Sequence, residues 1–160
     1  MTTFRFAQRQ DTATILMFIR ALAEYEHMSD DVVADEKTLE HWIFDMGKAE
    51  VLFALDEGRE VGFALFFHNF STFLGRAGIY LEDLFVLPEY RGRGHGKALL
   101  TELARIAVDR GCGRLEWSCL DWNKPSIDFY LSMDAEQMSG WTTYRIAGDR
   151  LREMGNRNAN

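Results

Sequence analysis

Cysteine, proline and long apolar runs are scarce in this sequence of 160 residues, and each scarcity excludes a class of protein. Two prolines rule out a proline-rich or collagen-like chain. The two cysteines, Cys112 and Cys119, fit neither a disulfide framework nor a zinc site, so we expect buried free thiols. No apolar run approaches the roughly 18 residues of a membrane span, and residues 1–5 lack a signal-peptide core. We therefore expect a soluble, cytoplasmic protein with no membrane partner.

Basic residues are outnumbered, with 18 Lys and Arg against 25 Asp and Glu, which gives a formal net charge of −7. Nucleic-acid binders need a basic surface, so we expect no nucleic-acid partner. An acidic chain suits a small cationic amine, although a charge that only aids solubility is the simpler interpretation. The length predicts a single domain over residues 1–160, with a flexible tail at 155–160.

Hydrophobic periodicity predicts the element order β-α-α-β-β-β-α-β-α-β, which indicates an α/β (α+β) fold with helices on both faces of a sheet. Three of the helices are expected to begin after the capping residues Asp11, Asp35 and Asn123, and the other at about residue 94. The predicted strands cover residues 2–7, 51–55, 61–67, 77–86, 114–120 and 141–146. A five-residue loop is expected between the second and third strands.

A glycine-rich turn between the fourth predicted strand and the following helix carries the clearest chemical signal. It has the sequence Arg91-Gly92-Arg93-Gly94-His95-Gly96-Lys97. Glycines allow close backbone approach, and a helix start offers free N–H groups to an anion. Three cations in an acidic chain strengthen this interpretation, so the turn is typical of a pyrophosphate site. A tight turn with a merely solvated basic face is the competing interpretation.

This turn resembles the (Gln/Arg)xxGx(Gly/Ala) signature of the GNAT acetyltransferases, which bind the pyrophosphate of acetyl-CoA. Several separated segments resemble the spermidine/spermine (diamine) acetyltransferase branch, which includes thialysine acetyltransferases. These segments are residues 25–28, 80–86, 90–92 and 122–130, and the resemblance as a whole covers about residues 4–146.

The resemblance implies the GNAT fold, with a central mixed, mostly antiparallel sheet and helices on both faces. It implies direct transfer of acetyl from acetyl-CoA to a primary amine of a small cationic substrate, which is a thialysine or lysine-like amine, a diamine or a polyamine. It also implies a homodimer. The four histidines are scattered without the spacing of metal ligands, so we expect no metal. The alternatives are acetylation of a protein or antibiotic amine, and a non-catalytic module that only binds acyl-CoA.

Two residues take catalytic roles by this resemblance. Tyr130 is the general acid that protonates the CoA thiolate, since a phenol has a pKa suited to that transfer. Glu82 contacts the amine and assists its deprotonation. The competing roles are packing of the helix for Tyr130 and a structural ion pair for Glu82. Strand alternation places Asp83 on the opposite face from Glu82, although a bulge could change that, and Asp83 is left out of the catalytic set.

The resemblance also assigns the binding residues. Tyr25 and Glu26 form the outer wall of the amine pocket together with Glu82, although an exposed helix end is a competing interpretation. The residues expected to bind the cofactor are Leu84, Phe85, Val86, Arg91, Gly92, Arg93, Gly94, His95, Gly96, Lys97, Asn123, Pro125 and Ser126.

The sequence departs from the branch at two places. Thr72 and Leu74 stand where polyamine-specific members carry an acid and a tryptophan. Loss of the acid favours a shorter amine over a long polyamine. Asp134 replaces the glycine usual after the Tyr130 helix, which affects the helix cap rather than the chemistry.

Overall fold

The computed structural model describes residues 1–156 and has the predicted order of elements as far as residue 132. The elements are β1 (Thr3–Phe6), α1 (Thr12–Tyr25), α2 (Glu36–Leu39), β2 (Glu50–Asp56), β3 (Arg59–Ser71), β4 (Arg76–Val86), α3 (His95–Asp109), β5 (Leu115–Trp117), α4 (Lys124–Ser132) and α5 (Gly148–Gly155). After α2 the chain continues in a widened π-helical segment, Glu40–Asp45.

The strands form one mixed sheet in the order β1-β2-β3-β4-β5. The first three pairings are antiparallel, while β4 and β5 run parallel. This confirms the expected fold class. The β2–β3 connection is a two-residue turn, Glu57 and Gly58, rather than the predicted five-residue loop. Both residues have positive φ, which matches the twist of the paired strands in a short hairpin.

Helices cover both faces of the sheet in the part of the chain from Met1 to Ser118. On one face, Ile15 and Phe18 of α1 pack in a buried cluster with Phe53, Phe63 and Phe85. On the other face α3 buries its apolar stripe, since a Cβ placed on Gly62 would lie 3.2 Å from the Leu99 side chain. The alternation of neighbouring strand residues between these two faces explains why β2 and β3 are apolar at almost every position.

Asp11 does not cap α1 through its side chain, in contrast to the expectation. Its carboxylate instead accepts two hydrogen bonds from the Arg5 guanidinium, at 2.8 and 2.9 Å, and a third from the Gln8 N–H. Arg5 also pairs with Glu60 on β3. Asp35 does cap α2, since it accepts from the Thr38 N–H at 2.7 Å.

The C-terminal part departs most from the predictions. The strand expected at residues 141–146 is not formed in the described chain, and α5 follows at residues where no helix was predicted. A strand needs a neighbour for its backbone groups, and Trp141 and Tyr144 of this segment are instead 81% and 91% exposed. Strand β5 is also shorter than the predicted 114–120. Neither Cys112 nor Cys119 is joined in a disulfide among the described residues, and both are only partly buried rather than buried as expected.

The chain divides into two compact units, the first covering Met1–Ser118 and the second beginning at Cys119. The single domain expected over residues 1–160 stays a prediction. Of the expected flexible tail at 155–160, Gly155 is the last residue of α5, and residues 157–160 lie outside the described residues. Among the described helices, none has the length and apolar character needed to span a bilayer.

Candidate active site

The glycine-rich turn connects β4 to α3 and needs glycine for its backbone conformation. The chain leaves Val86, makes a short 3-10 turn at Pro88–Tyr90, and passes through Gly92 and Gly94 with φ of +75° and +87°. No described atom lies within 4 Å of a Cβ placed on either residue, so conformation rather than crowding selects glycine. Gly96 has an ordinary φ, and its added Cβ would only touch Val86 at 3.9 Å.

The start of α3 is suited to an anion. The first intrahelical hydrogen bond runs from the Ala98 N–H to the Gly94 carbonyl at 2.9 Å, so the N–H groups of His95, Gly96 and Lys97 precede the helical ladder. No acidic residue lies in the first turn to compete for them. The positive end of the helix dipole adds to this attraction, so the turn can hold a pyrophosphate through its backbone.

The two arginines of the turn are engaged within the protein. The Arg91 Nε donates to the Val86 carbonyl at 2.9 Å, and its guanidinium lies 4.9 Å from the ring centres of both Tyr25 and Phe85. Arg93 lies over the Tyr90 ring at 5.3 Å. It also approaches the carboxylate of Asp56, at 3.7 Å. Arg91 thus braces the turn against the end of α1, and the exposed Lys97 adds a further positive charge.

His95, one of the residues expected to bind the cofactor, turns its side chain into the protein. The side chain is 4% exposed, and its Nδ1 lies 2.9 Å from the Thr2 hydroxyl. A buried imidazole cannot contact a ligand on the surface of the turn. The backbone N–H is therefore the group of His95 that is available to an anion.

Residues 84–86, expected to pair with the cofactor through their backbone, lie on a strand whose second edge is open. They pair with residues 62–64 of β3. On the opposite edge, β5 pairs with β4 at Ile79, Tyr80 and Leu81, and no other described strand continues that pairing. An extended chain carrying amide groups could add itself to this edge as a further strand would.

Glu82 and Asp83 do not follow simple alternation. In the β3–β4 register Asp83 faces Leu65 and Leu81 faces Phe66, so Glu82 is the extra residue of a β-bulge. The expectation that these two carboxylates lie on opposite faces was drawn for a regular strand and fails at the bulge. Glu82 is exposed and Asp83 is half-buried.

Asp83 forms an acidic cluster with Glu82 and with Glu26, the residue that follows α1. Burial, followed by repulsion from Glu82 and Glu26, raises the pKa of Asp83 to about 6. Burial also raises the pKa of Glu26 above its ordinary value. A carboxyl that titrates near neutrality can exchange protons at physiological pH, so Asp83 becomes a candidate for proton transfer although the sequence interpretation left it out of the catalytic set. The adjacent acids were visible in the sequence, whereas a bulge could be raised there only as an alternative, because it depends on the register with β3.

Tyr25 lies beside this cluster at the end of α1. Its ring centre is 6.2 Å from that of Phe85, and Arg91 covers it from another side. The predicted amine-pocket residues Tyr25, Glu26 and Glu82 therefore lie in one unit with the glycine-rich turn. Among the described residues, no group of three or more His, Cys, Asp or Glu side chains is arranged to hold a metal ion.

The second unit carries the remaining predicted site residues on α4. Asn123 caps this helix, its Oδ1 accepting from the Ser126 N–H at 3.3 Å, and Pro125 occupies the first turn, where no N–H is needed. Tyr130 lies in the last turn and is half-buried, with its ring centre 5.5 Å from that of Phe129. The cap and the proline define where α4 begins and hence the face on which Tyr130 lies.

Comparison with known proteins agrees with this chemistry. The sequence matches the Acetyltransferase (GNAT) family over residues 15–134. It is 39% identical over 162 residues to the thialysine N-epsilon-acetyltransferase of Bos taurus, covering 94% of this chain and 95% of that protein. It is 45% identical over 93 residues to the L-ornithine N5-acetyltransferase of Arabidopsis thaliana, covering 58% of this chain and 41% of that protein.

Comparison with a solved structure supports the same fold. An integron cassette protein from the mobile metagenome of V. cholerae superposes with a TM-score of 0.80 and 26% identity, and the match covers 96% of each chain. The family match extends from within α1 to beyond α4 and includes the glycine-rich turn. The chain therefore belongs to the GNAT family of acetyltransferases, and it is an acetyl-CoA-dependent amine N-acetyltransferase.

Proposed function

We propose that this protein transfers the acetyl group of acetyl-CoA directly to a primary amine of a small cationic substrate. The substrate class is a thialysine or lysine-like amine, a diamine or a short polyamine. The observation that carries the proposal is the acidic cluster of Glu26, Glu82 and Asp83 in the unit that holds the glycine-rich turn. An ammonium group is attracted to such a cluster, and it must lose a proton there before it can attack.

The proton acceptor is the carboxylate pair at the bulge. The amine nitrogen gives up one proton to Asp83 or, through water, to Glu82, and its lone pair then attacks the thioester carbonyl carbon. Asp83 suits this role because its pKa of about 6 leaves it ionised, and still basic, at neutral pH. Glu82 suits substrate contact because it is the exposed member of the pair.

Collapse of the tetrahedral intermediate breaks the carbon–sulfur bond and releases the CoA thiolate. Tyr130 is the proposed donor of the proton that this sulfur takes up. The nitrogen releases its second proton to water as the amide forms, and the phenolate regains a proton from solvent. Support for the role of Tyr130 comes from the resemblance of residues 122–130 to the diamine acetyltransferase branch and from the capped helix that holds the phenol. Backbone groups of residues 84–86 bind the pantetheine arm, and the N–H groups at the start of α3 bind the pyrophosphate.

The β3–β4 hairpin favours a short substrate. Thr72 and Leu74 lie at its exposed tip, and neither supplies the negative charge that a second distant ammonium group would seek. The chain's similarity to thialysine and ornithine acetyltransferases agrees with a diamino acid, which has one reacting amine and a nearby carboxylate. A polyamine remains within the proposed class as the poorer substrate.

A homodimer completes the proposal, as the resemblance implies. Trp141 and Ile146, in the segment predicted as the last strand, are both exposed in the single chain, and pairing with a second copy would cover them. Light scattering should give the mass of two chains; one chain at all concentrations would contradict the dimer. The cytoplasmic location and the lack of nucleic-acid and membrane partners stay predictions from the sequence.

A panel of amines tests the function. Release of CoA from acetyl-CoA is followed with thialysine, lysine, ornithine, putrescine, spermidine, an aminoglycoside and a lysine peptide. We expect the highest kcat/KM with a diamino acid or diamine. Activity confined to the aminoglycoside or the peptide would replace the proposed substrate class. CoA binding by calorimetry without any turnover would instead indicate a non-catalytic module.

A further inference from the structure

We infer that His95 is a positioning residue for the glycine-rich turn, which it supports from the buried side through Thr2 and Asp56. The inference rests on the proposed function, because it assigns a support to the site that binds CoA. It concerns a side chain that points into the protein rather than toward the surface of the turn.

The imidazole of His95 joins three separate parts of the chain. Its Nδ1 lies 2.9 Å from the hydroxyl of Thr2, which directly precedes β1. Its Nε2 lies 3.7 Å from Oδ2 of Asp56, the last residue of β2. The ring itself belongs to the first residue of α3. One side chain thus links the start of the helix to the ends of two strands.

The position of Nε2 shows that the link is not incidental packing. His95 is 4% exposed, and Nε2 has no hydrogen-bond partner within the described residues. Burying a polar nitrogen without a partner is unfavourable, so an apolar side chain would suit packing alone better. Oδ2 of Asp56 lies 3.7 Å from this nitrogen, and a small inward shift of the turn would bring the two atoms to hydrogen-bond distance.

The turn needs this support because its own residues do little to fix its conformation. The N-cap of α3 is Gly94, which has no side chain with which to cap the helix. Gly92 and Gly94 both carry positive φ, and glycine leaves the backbone free to adopt other conformations. Without an anchor, the N–H groups of residues 95–97 would be less well ordered before CoA binds, which weakens binding.

Asp56 connects this support to the ligand side of the turn. The same Oδ2 that faces His95 lies 3.7 Å from Nη1 of Arg93, which is a turn residue predicted to meet the pyrophosphate. When a phosphate draws Arg93 away, His95 remains as the neighbour of the Asp56 carboxylate. The buried nitrogen thus gives Asp56 a partner in the ligand-bound protein.

Substitution of His95 tests the inference. In His95→Leu, which removes both nitrogens, we expect the Kd for CoA and the KM for acetyl-CoA to rise about tenfold. We expect kcat and the KM for the amine to stay within about twofold, because the acidic cluster is untouched. His95→Asn keeps an acceptor near Thr2, and we expect it to recover part of the affinity. Calorimetry with CoA and steady-state kinetics provide these values.

Thr2→Val provides a second variant that does not depend on a buried substitution. It removes only the hydroxyl, and we expect the Kd for CoA to rise about threefold. Wild-type affinity for CoA in both His95→Leu and Thr2→Val would overturn the inference. An equal fall of kcat/KM for acetyl-CoA and for the amine would also overturn it. If the wild-type protein did not bind CoA, the proposed function would be wrong, whatever the variants show. Titration of the wild type with CoA therefore distinguishes a failure of the proposed function from a failure of the role given to His95.

Discussion

Glu82 and Asp83 are neighbours in sequence, yet only Asp83 has a partner in the β3–β4 register, because Glu82 is the extra residue of a bulge. The bulge interrupts the alternation that would otherwise separate the two carboxylates, and Glu82 contributes to the raised pKa of Asp83. In the proposed reaction the pair combines an exposed carboxylate for the cation with a half-buried one for the proton. A single carboxylate in a regular strand could not supply both environments.

Removing the charge of Glu82 should lower the pKa of Asp83. In Glu82→Gln one of the two like charges that raise this pKa is gone, so the value of about 6 should fall, while burial keeps it above the ordinary range. Carboxyl carbon NMR of Asp83 in the wild type and the variant measures the change. Glu57→Gln, in the β2–β3 turn, is the matched control and should leave the titration unchanged. An unaltered midpoint in Glu82→Gln would contradict the coupling.

Asp83→Asn should stabilise the protein at neutral pH and not in acid. The raised pKa means that the folded state binds more protons than the unfolded state between the ordinary value of 3.8 and about 6. Stability therefore falls as the pH rises through this window, and the loss persists above it. An asparagine carries no such penalty, so the variant should gain up to about 3 kcal/mol at pH 8.

Urea unfolding at pH 3.5 and pH 8 measures that difference. At pH 3.5 both proteins carry a neutral side chain at position 83, so the two unfolding midpoints should approach each other. A gain that is equally large at both pH values would show that charge burial is not its cause. The same variant should lose most of its acetyltransferase activity, because the proposed proton acceptor is absent.

A structural feature of this protein could be predicted from the sequence when the residues that determine it lie close together along the chain. The glycine-rich turn was predictable because Gly92 and Gly94 mark a backbone conformation that other residues adopt with strain. The apolar face of α3 followed from helical periodicity, and Leu99, Leu103 and Ile106 are indeed buried. In each case the signal lies within a few residues of the feature.

The features that could not be predicted depend on residues that are far apart in the sequence. The bulge at Glu82 is a property of the register with β3, and the inward turn of His95 depends on Thr2 and Asp56. The segment containing Trp141 is apolar enough for a strand, but strand formation requires a neighbour that its own residues do not specify. Such features become visible only once separate segments are placed together.

Tyr130→Phe should reduce kcat by more than about tenfold while leaving CoA affinity unchanged. The substitution removes only the phenolic hydroxyl, so α4 and its cap at Asn123 are retained. Tyr144→Phe is a matched control, since Tyr144 is 91% exposed in the same unit and carries no proposed catalytic or ligand-binding role. Steady-state kinetics and calorimetry with CoA separate the two effects. An unchanged kcat would remove Tyr130 from the mechanism.

Two neighbouring glycines should respond oppositely to alanine. Gly94→Ala forces a Cβ into a φ of +87°, and we expect a loss of about 1 kcal/mol in the free energy of unfolding. Gly96→Ala lies inside α3 at an ordinary φ, where the added methyl reaches Val86 at 3.9 Å without a clash. Gly96→Ala should leave the free energy of unfolding unchanged or raise it by roughly a few tenths of a kcal/mol, because alanine has a higher helix propensity than glycine. Chemical denaturation of both variants measures this contrast.

Asp134→Gly should stabilise the end of α4. The helix closes with two backbone bonds, from the Asp134 N–H to the Leu131 carbonyl at 3.1 Å and from the Ala135 N–H to the Tyr130 carbonyl at 3.2 Å. This cap requires positive φ at residue 134, where Asp134 has +60°. Gly111 occupies the equivalent position after α3, with φ of +72°, which shows the residue that this cap prefers.

We expect Asp134→Gly to raise the free energy of unfolding by about 0.5–1 kcal/mol, because glycine reaches this conformation without strain. Gly111→Ala is the reciprocal control and should lower stability by a similar amount, since alanine must adopt the same strained φ. Urea unfolding of both variants checks the pair of opposite changes. A loss of stability in Asp134→Gly would mean that the carboxylate contributes more to this helix end than the conformation costs.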